Sequence, residues 1–158
     1  MGAIKTSELK RRFPVELLAI VGSAIGLAKL MIDTGLAGQI SDTLFFFLGD
    51  FGPYGAFIAI FVMTVVFTEL ITNNAAAALS FPVAYALAAG FGVNPLPFVM
   101  AVAFGASASF ISPYGYQTNL MVYSAGNYRI KDYVAIGLPL SIIYSITVLT
   151  LIPLVFPF

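Results

Sequence analysis

Long apolar stretches separated by short polar breaks dominate this chain of 158 residues. No charged residue occurs over residues 51–68, 70–128 or 133–158. An uncharged run of about 18 or more mainly apolar residues has the length of a membrane span. Because several such runs follow one another, the pattern predicts an all-α membrane protein that crosses the bilayer more than once.

Helix-breaking and charged residues divide the chain into five predicted segments. Residues 1–13 are a basic cytoplasmic lead-in, and residues 14–50 hold a transmembrane helix followed by an amphipathic interfacial helix. Residues 51–92 form a helical hairpin, residues 93–127 a broken transmembrane helix, and residues 128–158 the final transmembrane helix. Each boundary lies beside a proline, glycine or charged residue, which are residues that end helices.

The predicted hairpin has two short apolar arms and a polar tip. The arms, residues 55–70 and 75–90, are about 24 Å long each at 1.5 Å per residue, which is less than the roughly 30 Å of the hydrocarbon core. The tip, Thr72-Asn73-Asn74, contains no Lys or Arg to hold it among lipid headgroups. The pattern favours a re-entrant hairpin over two ordinary, slightly short spans.

The segment that begins near Phe98 contains residues that interrupt a helix. Pro113 lacks a backbone N–H, and Gly115 and a run of hydrogen-bonding side chains over 116–119 follow it. The alternative is a proline kink that serves packing alone. Backbone groups freed at membrane depth persist only where they are buried in protein or line a cavity, so we expect a broken transmembrane helix. Three serines before the break are expected to hydrogen-bond along or between helices: Ser107, Ser109 and Ser112.

The basic residues predict the orientation of the chain. By the positive-inside rule the N-terminus, with Arg11 and Arg12, belongs in the cytoplasm. The first span carries the chain outside, the hairpin leaves it there, and the broken helix returns it. Arg129 and Lys131 then lie on the cytoplasmic side, and the C-terminus is predicted to lie outside the cell membrane.

The residue inventory limits the chemistry. The chain has no Cys and no His, and its seven carboxylates are balanced by seven Lys and Arg residues. These counts remove thiolate nucleophiles, zinc sites, haem ligation by His and a Ser-His-Asp triad, and zero net charge gives no reason to expect a nucleic-acid partner. We therefore predict that the protein is not an enzyme and has no organic cofactor, which leaves transport or conduction.

The hairpin tip is the first candidate site. A helix that starts at Thr72-Asn73-Asn74 presents unpaired N–H groups and a positive partial charge, which suit an anion. The alternative is that these residues only cap the helix, although capping and ligand binding use the same donors. Opposite them, carbonyls at the end of the first arm and the side chains of Thr68 and Asn73 suit a small hard cation such as Na⁺.

Glu69 is the only carboxylate deep in the apolar region. A charge at that depth is costly and usually functional. It either balances the cation or pairs with Lys29. These two interpretations are equally supported by the sequence.

The polar loop of the broken helix is the second candidate site. It offers oxygens and amides that complete a cation shell or face the same substrate: the Gly115 carbonyl, the Tyr116 hydroxyl, the Gln117 and Asn119 amides and the Thr118 hydroxyl. Discontinuous helices of this kind hold substrate and ion in many secondary transporters.

Two stretches resemble a known family. TELITNNAAAALSFPV resembles the outer re-entrant hairpin of the divalent anion:sodium symporters, the solute-carrier group of dicarboxylate and sulfate carriers, which have Ser-Asn-Thr at each hairpin tip. ASASFISPYGYQTNLMV resembles the C-terminal signature of that family. The resemblance extends over about residues 14–158. The positions that match the signature are Ser107, Phe110, Pro113, Gly115, Asn119, Met121 and Val122.

The resemblance implies a role for each site residue. Thr72, Asn73 and Asn74 would grip the anion, and Tyr116 and Gln117 would line its pocket. The sodium ligands it implies are Thr68, Asn73 and the carbonyls of Ile71 and Gly115. Departures from the family pattern bear on the substrate: Thr-Asn-Asn replaces Ser-Asn-Thr, Tyr114 replaces an aliphatic residue, and Tyr116-Gln117-Thr118 replaces a Thr-Pro-type stretch. Sulfate or another small oxyanion is therefore at least as plausible as a dicarboxylate.

The implied function is secondary active transport of a small divalent anion, of the dicarboxylate or sulfate class, with Na⁺ as coupling ion. The chain would be one inverted-repeat half, supplying the C-terminal substrate- and sodium-binding repeat. It is then a fragment or split product, or it pairs with a complementary N-terminal repeat, and a homodimer is a further expected partner. The alternatives are a passive channel or pore-like subunit, with the hairpin as selectivity loop, and a small membrane protein without a ligand.

Overall fold

The computed structural model describes residues 15–158, so the predicted basic lead-in over 1–13 lies outside the described residues. Over the described range all regular secondary structure is helical, with one short 3₁₀ turn and no strand, which confirms the predicted all-α class. The helices are α1 (Val15–Asp33), α2 (Leu36–Leu48), α3 (Gly52–Leu70), α4 (Asn73–Phe91), α5 (Leu96–Ala106), α6 (Gln117–Gly126) and α7 (Ile130–Val155).

Three helical runs are long and apolar enough to cross a membrane within the described residues: Leu36–Leu70, Asn73–Phe91 and Ile130–Val155. The first run joins α2 to α3 through the 3₁₀ turn Gly49–Phe51. The chain changes direction there because Gly52 has φ 68° and ψ −169°, a conformation open essentially to glycine alone. Membrane crossing by residues 14–32 stays a prediction.

The arms of the hairpin, α3 and α4, are longer than the sequence pattern indicated. Each has 19 residues, which corresponds to about 28 Å at 1.5 Å per residue. Pro53 stands in the first turn of α3, where a missing N–H costs nothing, and the Thr72 hydroxyl caps α4 by accepting from Ala75 N. Arm length alone therefore does not separate a re-entrant hairpin from two spans.

The core lies between α3, α4 and α5. Its largest fully buried apolar side chains are Phe57, Phe61, Phe98, Ile60, Leu87 and Val83. Gly105 of α5 lets the backbones of α3 and α5 approach closely, since an added Cβ would lie 3.0 Å from Thr64 Cβ and 3.2 Å from Phe61 O. Small residues at helix contacts are the usual means of close packing in membranes. This contact places the C-terminal ends of α3 and α5 side by side.

The last helix, α7, runs without interruption through Pro139. Its Tyr144 hydroxyl donates to Phe104 O of α5 at 3.0 Å, and Gly137 packs so closely on the backbone of Phe110 that an added Cβ would overlap its carbonyl. Helix α7 thus packs against the end of α5 and against the segment that links α5 to α6. That segment, residues 107–116, contains no α-helix.

Candidate anion and sodium site

The helical hairpin turns in an extended two-residue link. Ile71 (φ −132°, ψ −176°) and Thr72 (φ −72°, ψ 150°) separate the end of α3 from the start of α4. The Ile71 N–H donates to Phe67 O at 2.8 Å, which completes the last turn of α3. The link brings Thr68 and Asn73, five residues apart, into direct contact.

Three polar groups converge on the Asn73 side-chain amide. The amide atom that faces them lies 2.7 Å from Thr68 Oγ1 and 3.1 Å from the carbonyl oxygens of both Ala106 and Gly115. The Thr68 hydroxyl also lies 2.6 Å from Ala106 O. Thr68 is fully buried. The ends of α3, α4 and α5 and the loop before α6 therefore meet at one cluster of oxygens, which we call the oxygen cluster (Thr68 Oγ1, Asn73 amide, Ala106 O, Gly115 O).

The hydrogen-bond partners of the Asn73 amide favour the orientation in which Nδ2 faces the cluster. With Nδ2 facing inward it donates to Thr68 Oγ1 and Gly115 O, the Thr68 hydroxyl donates to Ala106 O, and every group is satisfied. With Oδ1 facing inward, the cluster consists of four oxygen atoms, and the Thr68 hydroxyl supplies its only hydrogen-bond donor. Oxygen atoms that converge in this way are the ligands that hard cations such as Na⁺ and Ca²⁺ take from proteins.

Gly115 fits into the cluster because it has no side chain. It is buried, and an added Cβ would overlap both the Thr68 carbonyl oxygen and Ser109 Oγ. The close approach aims the Gly115 carbonyl at Asn73. The oxygen cluster can therefore form in this geometry only with glycine at position 115.

Glu69 holds the interrupted segment against the hairpin tip. Its Oε1 accepts from the N–H groups of Phe110 at 2.9 Å and Ile111 at 2.8 Å, and its Oε2 accepts from Ser112 N at 2.7 Å. The Ser112 hydroxyl donates back to Glu69 O at 2.8 Å. The carboxylate thus satisfies three backbone donors that the helix break frees.

The alternative in which Glu69 pairs with Lys29 is wrong. Lys29 Nζ lies 3.1 Å from the Asp33 carboxylate, one turn along α1, and both side chains are more than half exposed. The physical reason is local: an i,i+4 partner on the same helix is within reach, whereas the Glu69 carboxylate is already bound by the backbone N–H groups of residues 110–112.

The three serines before the break divide into two groups. Ser107 donates to Ala103 O at 3.1 Å and Ser112 to Glu69 O at 2.8 Å, as predicted. Ser109 does not follow the prediction, because its buried hydroxyl has no hydrogen-bond partner among the described residues. Its carbonyl accepts from Asn119 Nδ2 at 3.1 Å, which ties α6 to the loop.

A cavity of about 250 Å³ adjoins the oxygen cluster. All five residues that the sequence assigned to the anion line it, and Asn73 and Gly115 belong to both sites. The eight lining residues are uncharged: Thr72, Asn73, Asn74, Tyr114, Gly115, Tyr116, Gln117 and Thr118. The cavity is smaller than the roughly 300–1,000 Å³ of sites for drug-sized molecules, so it suits a small ligand.

Two helix N-termini open on this cavity. Helix α4 begins at Asn73 and α6 at Gln117, and neither has an acidic residue in its first turn. Tyr116, which precedes α6, makes no side-chain cap bond. Unpaired N–H groups and about half a positive charge at each N-terminus favour an anion there.

Sequence reasoning missed two features of the site. The Ala106 carbonyl is a main-chain group, so no side-chain pattern indicates it. The sequence predicts a hydrogen bond along or between helices for Ser109, but its hydroxyl has no partner among the described residues. The position of Ile71 in the link is compatible with the predicted role of its carbonyl, which stays a prediction.

The class of protein follows from these features: an all-α membrane protein whose site is built from helix ends and neutral oxygens, as in secondary transporters. The family model described as sodium:sulfate symporter transmembrane region matches residues 7–156. The chain belongs to this family of transporters, and the resemblance inferred from the two motifs is confirmed.

Named relatives agree with this membership. The probable sodium/sulfate cotransporter 3 of Chlamydomonas reinhardtii is 35% identical over 144 residues, covering 89% of this chain and 16% of that protein. An uncharacterized transporter of Synechocystis is 34% identical over 155 residues, covering 98% and 25%. The sodium-dependent dicarboxylate transporter SdcS of Staphylococcus saprophyticus is 26% identical over 145 residues, covering 92% and 28%. The chain thus spans 16–28% of the length of these curated relatives.

Proposed function

We propose that this chain is the C-terminal binding repeat of a secondary transporter that moves a small divalent anion, of the sulfate or dicarboxylate class, with Na⁺. The observation that carries the proposal is the shared use of Asn73 and Gly115 by an anion-type cavity and a cation-type oxygen cluster. Relatives named as sodium/sulfate cotransporters and as a sodium-dependent dicarboxylate transporter support the same pair of ions.

Charge balance supports co-binding of the two ions. Of the groups at the cavity, the two helix N-termini contribute about +0.5 each, and one Na⁺ brings the total to about +2. The Glu69 carboxylate does not line the cavity and is bound by the N–H groups of residues 110–112. A divalent anion is then neutralised without any Lys or Arg in the cavity. Either ion alone leaves an unbalanced charge in a low-dielectric site. Each ion therefore raises the affinity for the other, and by thermodynamic linkage the effect is reciprocal.

The Asn73 amide supplies a structural basis for binding and release of Na⁺. In the Nδ2-inward orientation the oxygen cluster satisfies itself, so the cation-free state is stable. In the Oδ1-inward orientation the same position presents four oxygens to Na⁺. Because Asn74 and the N-terminus of α4 adjoin Asn73, reorientation of this amide couples the cation site to the anion cavity.

The shortness of helix α5 supports a re-entrant hairpin and a broken transmembrane helix. Helix α5 has 11 residues, which span about 17 Å, or roughly half of the hydrocarbon core. Thr68 bonds to Ala106 at its end. The hairpin tip would therefore lie near the middle of the bilayer, where freed backbone groups need the partners that Glu69 and Asn73 provide.

A complementary N-terminal repeat would supply the opposite hairpin and the remaining helices, and a homodimer of the assembled transporter is the expected oligomer. The N-terminus would then lie in the cytoplasm and the C-terminus outside, from the positions of the basic residues. Exposed apolar side chains on α6 and α7, such as Met121 and Ile136, leave faces for lipid or for that repeat.

Cysteine labelling is expected to locate the segments. The chain contains no Cys, so single-cysteine variants have no background. In sealed vesicles of known orientation, Lys131→Cys should react with an impermeant maleimide only from the cytoplasmic face. Asn74→Cys should react slowly and be protected by sulfate with Na⁺. Reaction of Lys131→Cys from outside would contradict the proposed orientation.

The main test replaces Asn73 by alanine. Uptake of labelled sulfate and of labelled succinate is measured in proteoliposomes that contain the chain and a first repeat from a relative, with an inward Na⁺ gradient. Asn73→Ala removes one ligand of each ion, and each loss should weaken the affinity for that ion by about tenfold. Na⁺-driven uptake should therefore fall by about 100-fold. Asn94→Ala is the matched control: that amide donates to Pro157 O at 3.2 Å, away from the site, and uptake should stay normal.

Two results would contradict the proposal. Normal uptake by Asn73→Ala would remove Asn73 from the site. Equal flux with and without a Na⁺ gradient would favour the passive channel. Preference for sulfate over succinate identifies the anion class within the proposal.

A further inference from the structure

Ser109 carries a buried hydroxyl that the fold leaves without a partner. The residue is 5% exposed, and Oγ makes no hydrogen bond with any described residue. Burial of an unpaired hydroxyl costs free energy, and unsatisfied groups in a native fold often mark an unfilled site for water or an ion. Only one other side chain in the described part of the chain shares this property, Ser80 in the middle of α4.

Ser109 Oγ lies against Gly115 and Thr68, two residues of the proposed sodium site. An added Cβ on Gly115 would overlap both Ser109 Oγ and the carbonyl oxygen of Thr68, so the two oxygens flank the same glycine. The Ser109 backbone is held in place, since its carbonyl accepts from Asn119 Nδ2 and the next residue donates to Glu69. The hydroxyl is therefore presented beside the oxygen cluster by a fixed backbone.

The chemistry of the hydroxyl suits this position. A serine oxygen is a neutral, hard ligand, and its hydrogen is free to point away from a cation. Na⁺ gains a ligand without a further carboxylate, which would carry a large desolvation cost in the membrane.

We propose that Ser109 Oγ is a further ligand of the Na⁺ bound at the oxygen cluster, in addition to Thr68, Ile71, Asn73 and Gly115. This inference rests on the proposed function, because it assumes that the cluster binds Na⁺. It assigns a role to a residue that neither motif of the family resemblance requires. It also explains why the orphan hydroxyl is tolerated: it is unpaired only while the cation is absent.

The test measures Na⁺ binding through stability, without transport. The full chain in detergent micelles is unfolded thermally over a range of NaCl, with choline chloride keeping the ionic strength constant and sulfate present throughout. A ligand that binds the folded state raises its stability with concentration. Ser109→Ala should need about tenfold more Na⁺ than the unaltered chain for half of the maximal rise in melting temperature.

Two further variants separate ligation from packing. Ser80→Ala removes the other unpaired hydroxyl, which is fully buried in the interior of α4, and should leave the Na⁺ titration unchanged. Ser109→Cys keeps the approximate size of the side chain but replaces the hard oxygen by a soft sulfur, which Na⁺ disfavours. It should behave like Ser109→Ala.

The outcomes separate this inference from the proposed function. Suppose that Na⁺ stabilises the unaltered chain and that both Ser109 variants need the same Na⁺ concentration as the unaltered chain for half of the maximal rise. Ser109 is then not a ligand, and the proposed sodium site is unaffected. Normal titration of Ser109→Cys with a shifted Ser109→Ala would assign Ser109 to packing and overturn the inference. If Na⁺ and choline act alike on the unaltered chain, the sodium site itself is wrong and the inference fails with it.

Discussion

Replacement of Glu69 by alanine is expected to abolish Na⁺-driven anion uptake and to destabilise the fold by about 3 kcal/mol. The carboxylate accepts from three consecutive backbone N–H groups, those of Phe110, Ile111 and Ser112. Without it, these donors are left unpaired in a partly buried place, and the loop that presents Gly115 loses its attachment to the hairpin tip. Uptake in proteoliposomes and unfolding of the full chain in detergent measure the two effects.

Glu69→Gln tests how far the charge itself is needed. The glutamine oxygen can accept from Phe110 and Ile111, but Nε2 then faces the Ser112 N–H, so one of the three bonds becomes a donor–donor contact. We expect a smaller loss of stability than for alanine, with uptake reduced by about tenfold or more. Asp33→Ala is the matched control, since it removes a carboxylate from an exposed ion pair with Lys29 and should cost under about 1 kcal/mol. Full activity of Glu69→Ala would show that the loop is positioned by other contacts.

Substitution of Gly115 by alanine is the second change with a large expected effect. The new methyl group would overlap the Thr68 carbonyl oxygen and Ser109 Oγ. Neither neighbour can yield easily, because one is backbone and the other belongs to a hydrogen-bonded loop. Overpacking of this kind costs about 1–3 kcal/mol. Displacement of the carbonyl, a proposed Na⁺ ligand, together with distortion of the anion cavity that Gly115 lines, should lower Na⁺-driven uptake by about 100-fold.

Gly38→Ala provides the control for the loss of a glycine. Gly38 lies within α2, and an added Cβ there meets nothing within 4 Å. Alanine is favoured over glycine inside a helix by about 0.5–1 kcal/mol, so this variant should be as stable as the unaltered chain or slightly more so. Both variants are compared by the Na⁺ concentration needed for stabilisation and by sulfate uptake. An unchanged Na⁺ titration in Gly115→Ala would exclude its carbonyl from the sodium site.

The helices follow closely from local sequence. The predicted breaks at Gly52-Pro53 and at the hairpin tip lie where helices of the structure end or begin, because glycine conformations, proline and capping hydroxyls act within a few residues of the chain. The interruption predicted over residues 113–119 begins earlier, at residue 107, and ends where α6 starts at Gln117. The predicted arms were too short because Thr72 and Pro53 start their helices earlier than the polar pattern suggests. Apolar periodicity does not report such boundaries.

The partner of Glu69 could not be predicted in the same way. The sequence shows a lone carboxylate in an apolar region, which indicates a special role, but its partners lie 41 to 43 residues further along. They are backbone N–H groups, which every non-proline residue possesses. Which of Lys29, a cation or the loop after α5 binds the Glu69 carboxylate depended on how α3 packs against α5.

The sequence by itself determined that this protein lies in a membrane, that it is all-helical, and that two motifs place it among sodium:sulfate symporters. These properties depend on hydrophobicity, helix breakers and residue identity, all of which act locally. Only the tertiary structure decided that the Ala106 carbonyl joins Thr68, Asn73 and Gly115 in one cluster, that Glu69 holds the loop and that Ser109 is left unpaired. Those relations join segments distant along the chain through main-chain groups, and such groups acquire distinct roles only when helix packing fixes where each one points.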